Sequence, residues 1–281
     1  MNTIEKELEN AGFGEVRPRV WAREGRSALL ERLAGVDLFA TDFDECMHPD
    51  ITQAETGMAV YRKIAASVYD PHHFALYANM TLFSGPIIAI KLYQKLTGDV
   101  KNSRMIGTFQ KLARGIPVQY FEEAAEPLVG RFFPGVADTL RLLNRRGVPA
   151  GVISLGIDIV IGEMLRRLEE REQARVDFFD CTRVEVDAHG CFRRYDPKHA
   201  YYNNEDKRTL LRARVEKLGA KRPLVVGHDR DDMMMFDEAV NLEGVTVGFR
   251  PRRETLALLD IAVTAGDWTP IHELLKDALN H

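Results

Sequence analysis

Acidic residues, one serine and one lysine stand at positions in this sequence where they could transfer a phosphoryl group. Asp42 and Asp44 directly follow a short apolar run, and Ser154 ends a second run of this kind. Lys207 stands near the start of a helix-like segment, and acids follow a third apolar run at 229–232. Together these residue types can supply a nucleophile, a proton donor and the charges that hold a phosphate.

Asp42 and Asp44 could divide a two-step reaction between them. A carboxylate can attack phosphorus and form an aspartyl-phosphate, which replaces one difficult step with two easier ones. Asp44 would project to the same side and could protonate the leaving oxygen and then activate water. Ser154 can donate to a phosphoryl oxygen, and Lys207 can act as a point charge on the phosphate and on Asp42. Acids dominate this set, so a cation is expected, and Mg²⁺ prefers oxygen ligands.

Strand-like and helix-like segments alternate through most of the chain, which would bring these residues to one edge of a sheet. Strands are predicted at 36–40, 149–154, 222–227, 245–249 and 261–265, where the sequence is short, apolar and continuous. Strands that alternate with helices indicate a parallel sheet covered on both faces, and chemistry collects at the carboxyl ends of its strands. The sequence therefore predicts an α/β fold with a Rossmann-like parallel sheet.

The segment 49–131 interrupts this alternation. Thr52 and Glu55 have the spacing of a capping box that opens a helix. Another helix is predicted at 86–98, which begins with proline and ends with glycine. No convincing strand pattern occurs in this segment, so we predict a helical cap inserted after the first core strand.

The beginning of the chain is also helix-like. The predicted organisation is an N-terminal helical extension at 1–35, an α/β core made of 36–48 and 132–281, and a helical cap at 49–131.

The segment from 178 to 195 predicts a β-hairpin around the turn DAHG. If Val186 pairs with Cys191 across that turn, Cys181 lies opposite Asp196, so the two cysteines are not bridged. With Cys46 the chain has three cysteines and no CxxC pair, which argues against a disulfide framework and against a structural zinc site.

Composition bounds the remaining possibilities. The chain has 281 residues, which suits one core domain with a large insert or two domains. Its formal charge of −4 gives no footprint for bulk nucleic-acid binding. The charged N-terminus does not resemble a signal peptide, and no apolar stretch is long enough to span a bilayer. We therefore expect a soluble cytoplasmic protein with no nucleic-acid or membrane partner.

At the residues considered above, the sequence resembles the haloacid dehalogenase (HAD) superfamily. LFATDFDE resembles its first motif, GVIS its second, DKRTLL its third and LVVGHDRDDMMMF its fourth. The resemblance covers the chain from 36 to the C-terminus, and an insert between the first two motifs corresponds to a type one cap. The nearest branch is the phosphoserine-phosphatase-like one, whose hairpin resembles FFDCTRVEVDAHGCF.

This resemblance implies a Mg²⁺-dependent phosphomonoester hydrolase that acts on a small phosphorylated metabolite. Asp42 would be the nucleophile and Asp44 the general acid and base. Ser154 and Lys207 would hold the phosphate. The metal would lie on the Asp42 carboxylate, the Asp44 backbone carbonyl and an acid of the fourth motif. Neither the particular substrate nor the oligomeric state is implied.

Two positions depart from the family pattern. Cys46 stands where a threonine is common, and His228 stands where the family has its metal-binding aspartate. Imidazole is a poor ligand for Mg²⁺ and suits softer metals. We expect Asp229 together with Asp232 to hold the metal, with Asp231 as a further alternative.

Two other functions are compatible with the same residues. A carbon–halogen hydrolase could use Asp42 on the same fold, although it would need neither Mg²⁺ nor the acid at Asp44. A catalytically impaired binding or regulatory protein would account for Cys46 and His228.

Overall fold

The computed structural model describes residues 3–82 and 103–280 and confirms the predicted α/β class. Its strands are β1 (Gly14–Arg17), β2 (Val20–Ala22), β3 (Leu38–Thr41), β4 (Ala150–Ile157), β5 (Phe178–Thr182), β6 (Val184–Val186), β7 (Phe192–Tyr195), β8 (Pro223–Gly227), β9 (Val245–Phe249) and β10 (Ile261–Val263).

The helices are α1 (Thr3–Asn10), α2 (Arg26–Ala34), α3 (Thr52–Ala65), α4 (71–82), α5 (Ser103–Ala113), α6 (Val118–Ala125), α7 (Val136–Arg146), α8 (Asp158–Glu172), α9 (Asn204–Leu218), α10 (Met233–Asn241) and α11 (Thr269–Leu279). Short 3₁₀ turns cover Glu126–Arg131, Arg230–Asp232 and Arg253–Leu258.

The main sheet has the strand order β1-β2-β10-β9-β8-β3-β4-β5. The six strands from β10 to β5 in this order are parallel to one another, and β1 and β2 form an edge in which β2 is antiparallel to both β1 and β10. From β3 the chain proceeds outward to β4 and β5 on one side, and later to β8, β9 and β10 on the other. The order therefore switches between β3 and β8, and open sheets of this kind bind ligands outside the carboxyl ends of the strands at such a switch.

Continuous apolar runs produce these central strands because both sheet faces are covered by helices. In β3, Phe39 packs into the cluster that includes α2, α7 and α11, whereas Leu38 and Ala40 pack into the one that includes α9 and α10. All three residues are fully buried. This double burial holds the end of β3 in a fixed position, which the site described below requires.

The N-terminal segment 1–35 was predicted as helical, and that prediction is incomplete. Helices α1 and α2 are present, but between them β1 and β2 form a hairpin that pairs with β10 through β2. Each of these strands has only three or four residues, and Arg19 makes the turn with a φ of 64°. Such short strands leave no periodic pattern, so the sequence alone did not reveal them.

The predicted hairpin at 178–195 is only partly correct. Strand β5 joins the main sheet in parallel with β4, and only β6 and β7 form a hairpin. Val186 pairs with Phe192, not with Cys191, because the side chain of Asp187 accepts a hydrogen bond from the Cys191 amide. Cys181 and Cys191 are both free, as the sequence predicted.

The described part of the predicted cap is mainly helical, with one isolated β-bridge between Pro117 and Cys191. Residues 49–82 and 103–131 contain α3 to α6 and one 3₁₀ turn, and no strand is assigned there. Helix α6 packs against both α3 and the core helix α8. The helix predicted at 86–98 lies outside the described residues, and the domain boundaries stay a prediction.

Across 3–82 and 103–280, none of the helices combines the length and the apolar character that crossing a membrane would require.

Candidate active site

Strands β3 and β8 lie side by side and deliver two acid-rich loops to the same edge of the sheet. Thr41 is in register with Val226, and the amide of Asp42 donates to the Val226 carbonyl over 3.0 Å. The next residue along β8, Gly227, must be glycine, because a Cβ there would lie 2.6 Å from the side chain of Asp232. Asp42 and the loop 228–232 therefore meet at the switch point of the sheet.

Lys207 joins these two loops. Its Nζ lies 2.8 Å from Asp42 Oδ1 and 2.7 Å from Asp232 Oδ1, and the residue is only 2% exposed. Helix α9 positions it, since Asn203 and Asp206 form a capping box that fixes the first turn. One buried ammonium thus serves two buried carboxylates.

Burial and pairing set the protonation of these groups. Burial alone would lower the pKa of Lys207, but the two carboxylates raise it well above its ordinary value. Burial opposes the ionisation of Asp232, yet Lys207 and His228 hold its pKa below the ordinary range. For Asp42 burial prevails over the attraction of Lys207 and raises the pKa to about 7. The ammonium thus holds Asp232 ionised, and Asp42 titrates near neutral pH.

Asp232 braces the loop after β8. Its Oδ1 accepts from Lys207, and its Oδ2 accepts from the amides of His228 over 2.7 Å and Asp229 over 3.2 Å. The lone pairs of this carboxylate are thereby largely used within the protein. Asp42 differs, because its Oδ2 is the oxygen that Lys207 does not hold.

His228 lies beside that oxygen and is 8% exposed. Its Nδ1 is 3.7 Å from Asp42 Oδ2 and 3.4 Å from Asp232 Oδ2. Its Nε2 is 3.4 Å from Asp229 Oδ2 and 3.7 Å from Glu45 Oε2. Neither ring nitrogen has a hydrogen-bond partner among the described residues. Burial would lower the pKa of His228, but the acids around the ring, Asp232 first, raise it to about 9.

Asp44 belongs to the same loop as Asp42 but is held differently. Thr52 donates to Asp44 Oδ1 twice, from its amide over 3.0 Å and from its hydroxyl over 2.7 Å. Burial raises the pKa of Asp44 to about 6, although these two hydrogen bonds oppose the rise. The predicted capping box at Thr52 and Glu55 is therefore wrong: Ile51 is the N-cap, and Thr52 instead positions Asp44.

Ser154 lies in β4, which neighbours β3 with Thr41 in register with Val152. It is buried, and its Oγ accepts the amide of Gly156 over 3.1 Å, which leaves the hydroxyl proton for another acceptor. The register places Ser154 at the carboxyl end of the sheet. The contacts described above connect neither Ser154 nor Asp44 directly to Asp42.

Three of the four predicted metal ligands, namely Asp42, Asp229 and Asp232, divide between two sides of the His228 ring, and no described contact joins Asp44 to it. Asp229 faces Nε2, and its other oxygen accepts the amide of Asp231 over 2.9 Å. Asp42 and Asp232 face Nδ1, and one donor atom from each of these two acids and from His228 lies within 4.8 Å of the other two. The geometry thus favours His228 over Asp229 as the partner of Asp42. The cluster offers two carboxylate oxygens and one unpartnered buried nitrogen, which are donor atoms that suit a divalent cation once the imidazole has lost its proton to the binding ion.

Cys46 packs beneath the loop and takes no part in this cluster. Its Sγ lies 3.5 Å from Thr41 Oγ1, and its carbonyl accepts from the Trp268 indole over 2.9 Å. Burial raises the pKa of the thiol well above its ordinary value, and Asp42 and Asp232 add to the rise. A buried thiol with a raised pKa is a poor nucleophile at neutral pH.

Sequence reasoning missed two residues of this site. Glu45 faces the His228 ring, and its φ of 55° places its backbone in the left-handed region. Thr52 reaches Asp44 from the first turn of α3. Nothing in the sequence signalled either contact, because both depend on how the loop after β3 turns.

No protein-family model matches the sequence, and no curated protein matches it. Solved structures share its fold. A phospho-aspartyl intermediate analogue of phosphoserine phosphatase aligns with a TM-score of 0.55 and 17% identity, over 86% of this chain and 98% of that chain. A HAD family hydrolase from Salmonella enterica serovar Typhi aligns with a TM-score of 0.61 and 15% identity, over 85% and 71% of the two chains. Cytosolic 5′-nucleotidase IIIB bound to cytidine aligns with a TM-score of 0.61 and 12% identity, over 99% and 90%.

These alignments show that the chain has a HAD-like fold with a Rossmann-like core. The fold implied by the four sequence motifs is therefore confirmed.

Proposed function

We propose that this protein hydrolyses phosphate monoesters of small metabolites through an aspartyl-phosphate formed on Asp42. The observation that carries the proposal is the buried contact of 2.8 Å between Asp42 and Lys207 at the switch point of the sheet. Lys207 holds one carboxylate oxygen of Asp42 there and orients the group, and the other oxygen faces His228. The same fold occurs in phosphoserine phosphatase and in a 5′-nucleotidase, which supports the choice of a phosphate ester.

The reaction would proceed in two displacements at phosphorus. In the first, an Asp42 oxygen bonds to phosphorus while the ester P–O bond breaks, and Asp44 gives its proton to the leaving oxygen. In the second, Asp44 takes a proton from water, the water oxygen bonds to phosphorus, and the bond to Asp42 breaks. Asp44 suits both roles because its pKa of about 6 lies close to neutral pH.

The remaining residues would hold the phosphate and its charge. Lys207 counters the negative charge near Asp42, and the Ser154 hydroxyl donates to a phosphoryl oxygen. A divalent cation, Mg²⁺ by the sequence resemblance, would be held by Asp42, the Asp44 carbonyl and residues of the loop 228–232. When bound, it would neutralise charge on the phosphoryl oxygens.

Phosphatase assays with Asp42→Asn and a charge-matched control test this proposal. Asp138→Asn removes an exposed acid whose only described ion pair is the one with Arg141, so it should leave turnover unchanged. The assays should use an aryl phosphate, phosphoserine and nucleoside monophosphates, with Mg²⁺, Mn²⁺ or Co²⁺ present. We expect turnover by the wild-type protein and by Asp138→Asn but not by Asp42→Asn. Equal turnover by Asp42→Asn would contradict the mechanism.

The two alternative functions predict different results. A carbon–halogen hydrolase would release halide from a haloacid, would tolerate a chelator and would not need Asp44. An impaired binding protein, which His228 in the ligand position would favour, would hydrolyse no ester with any of these cations.

A further inference from the structure

We infer that the cation site beside Asp42 is built for a divalent transition metal that accepts a nitrogen ligand, such as Mn²⁺ or Co²⁺, rather than for Mg²⁺. This inference rests on the proposed function, since it concerns the cation of that same site. It departs from the Mg²⁺ expected from the sequence resemblance, because the structure places His228 against Asp42.

The backbone of His228 is fixed beside Asp42. The His228 amide donates to Asp232 Oδ2 over 2.7 Å, and its carbonyl accepts the amide of Arg252 over 2.9 Å. Both backbone groups are therefore fixed, and the side chain lies in a buried space between two acidic loops. A cation that binds Asp42 Oδ2 would therefore lie beside this imidazole.

The surroundings of the ring match those of a metal-bound histidine. A histidine that ligates a metal through one nitrogen commonly donates from the other nitrogen to a carboxylate. Nδ1 faces Asp42 and Asp232, while Nε2 faces Asp229 Oδ2 over 3.4 Å and Glu45 Oε2 over 3.7 Å. Neither nitrogen has a hydrogen-bond partner among the described residues, so Nδ1 is left for a ligand.

The spacing of the donor atoms also fits a single ion. Nδ1 of His228 lies 3.7 Å from Asp42 Oδ2 and 3.4 Å from Asp232 Oδ2. Neighbouring ligands of a tetrahedral ion with bonds of about 2.1 Å lie roughly 3.4 Å apart. Asp42 is the more available of the two acids, because Asp232 Oδ2 already accepts two amides.

The identity of the donors decides the preference among metals. Mg²⁺ takes oxygen ligands in octahedral geometry and releases its water reluctantly. Imidazole nitrogen suits first-row transition metals, whose affinity for such sites increases from Mn²⁺ to Co²⁺ and beyond. Replacing one oxygen donor by His228 therefore weakens Mg²⁺ binding more than Mn²⁺ or Co²⁺ binding.

Isothermal titration calorimetry with each metal chloride alone tests this on the 281-residue chain. We expect Mn²⁺ and Co²⁺ to bind the wild-type protein at least about ten-fold more tightly than Mg²⁺. His228→Asp restores an oxygen donor. It should lower the ratio of Mn²⁺ affinity to Mg²⁺ affinity by about ten-fold and should change the visible absorption of bound Co²⁺. His199→Asn is the matched control, since it removes an imidazole that faces only Asp196 among its described contacts, and should leave the ratio unchanged.

Mg²⁺ binding to the wild-type protein as tightly as Mn²⁺, or no binding of any of the three, would overturn the inference. Neither result requires His228→Asp to fold. Turnover is measured separately, so the two proposals can fail independently. Preference for Mn²⁺ without ester hydrolysis would contradict only the proposed function, whereas ester hydrolysis with a preference for Mg²⁺ would contradict only this inference.

Discussion

The loop after β3 and the loop after β8 are both rich in acids, yet they use their carboxylates in opposite ways. At 42–46, Asp42 keeps one oxygen that Lys207 does not hold, and Asp44 is held by Thr52 alone among the contacts described. At 228–232, Asp232 is bonded to Lys207 and to two amides of its own loop. The first loop presents reactive groups, and the second is folded around its own acid.

This difference shows that an acidic cluster in a sequence does not indicate how many of its members can react. A carboxylate that accepts several hydrogen bonds is stabilised in its charged form and has few lone pairs left for a metal or a substrate. Asp232 is of this kind and Asp42 is not. Variants of the two loops should therefore fail in different ways.

The largest expected effect is on turnover, from the loop after β3. Asp42→Asn should lower kcat on the order of 10⁴-fold or more, because the amide cannot serve as the nucleophile. Asp231→Asn, in the loop after β8, should lower kcat far less. Only the backbone amide of Asp231 donates to Asp229, and its carboxylate lies outside the cluster around Asp42. Steady-state kinetics on an aryl phosphate measure both. Equal losses would contradict the contrast between the loops.

Asp44→Asn should have the next largest effect, about 10²- to 10⁴-fold on an alkyl phosphate and much less on an aryl phosphate with a good leaving group. In the wild-type protein, kcat/KM for the alkyl ester should pass through a maximum between about pH 6 and 7 and decline at higher pH, because Asp42 must be ionised while Asp44 keeps the proton that it donates. Parallel pH profiles of both proteins check this. If the decline persists in Asp44→Asn, it belongs to another group or to the substrate.

Asp232→Ala should chiefly lower stability, by about 3–5 kcal/mol, because it leaves the buried ammonium of Lys207 with one partner fewer. Asp229→Ala, a change in the same loop, should cost only about 1 kcal/mol, since Asp229 acts as the cap of a short turn. Urea unfolding of both variants gives the comparison. A stable Asp232→Ala protein would show that this acid does not brace the loop.

Thr52→Val should have the smallest effect. It removes the hydroxyl that donates to Asp44 and keeps the volume of the side chain. Since this hydrogen bond favours the charged carboxylate, its loss should raise the pKa of Asp44 by roughly half to one unit and move the pH maximum of kcat/KM upward. A downward movement, or none, would show that Thr52 does not set the protonation of Asp44.

The sequence predicted the parts of this molecule that depend on strand position. Asp42 and Lys207 are 165 positions apart in the sequence, yet the order of motifs was enough to predict that they meet. Buried parallel strands are recognisable from continuous apolar runs, and their carboxyl ends are bound to converge. The α/β class and the HAD-like fold followed from the same patterns.

The sequence could not predict what depends on loop hydrogen bonds. The position of His228 beside Asp42 depends on the hydrogen bond that its backbone amide donates to Asp232. Thr52 was predicted to belong to a capping box, but its hydroxyl donates to Asp44 instead. The hairpin of β1 and β2 was missed because it is too short to show a period. Each of these features depends on a few polar contacts between residues distant in sequence.

Trapping the covalent intermediate tests the central claim most directly. The protein would be mixed with a ³²P-labelled phosphate monoester in the presence of Mn²⁺, quenched in acid and digested for peptide mapping. We expect acid-stable label, sensitive to hydroxylamine, on the peptide that contains Asp42, and no label on Asp42→Asn. Hydrolysis of the ester with no label on the protein, or with label on another residue, would contradict it.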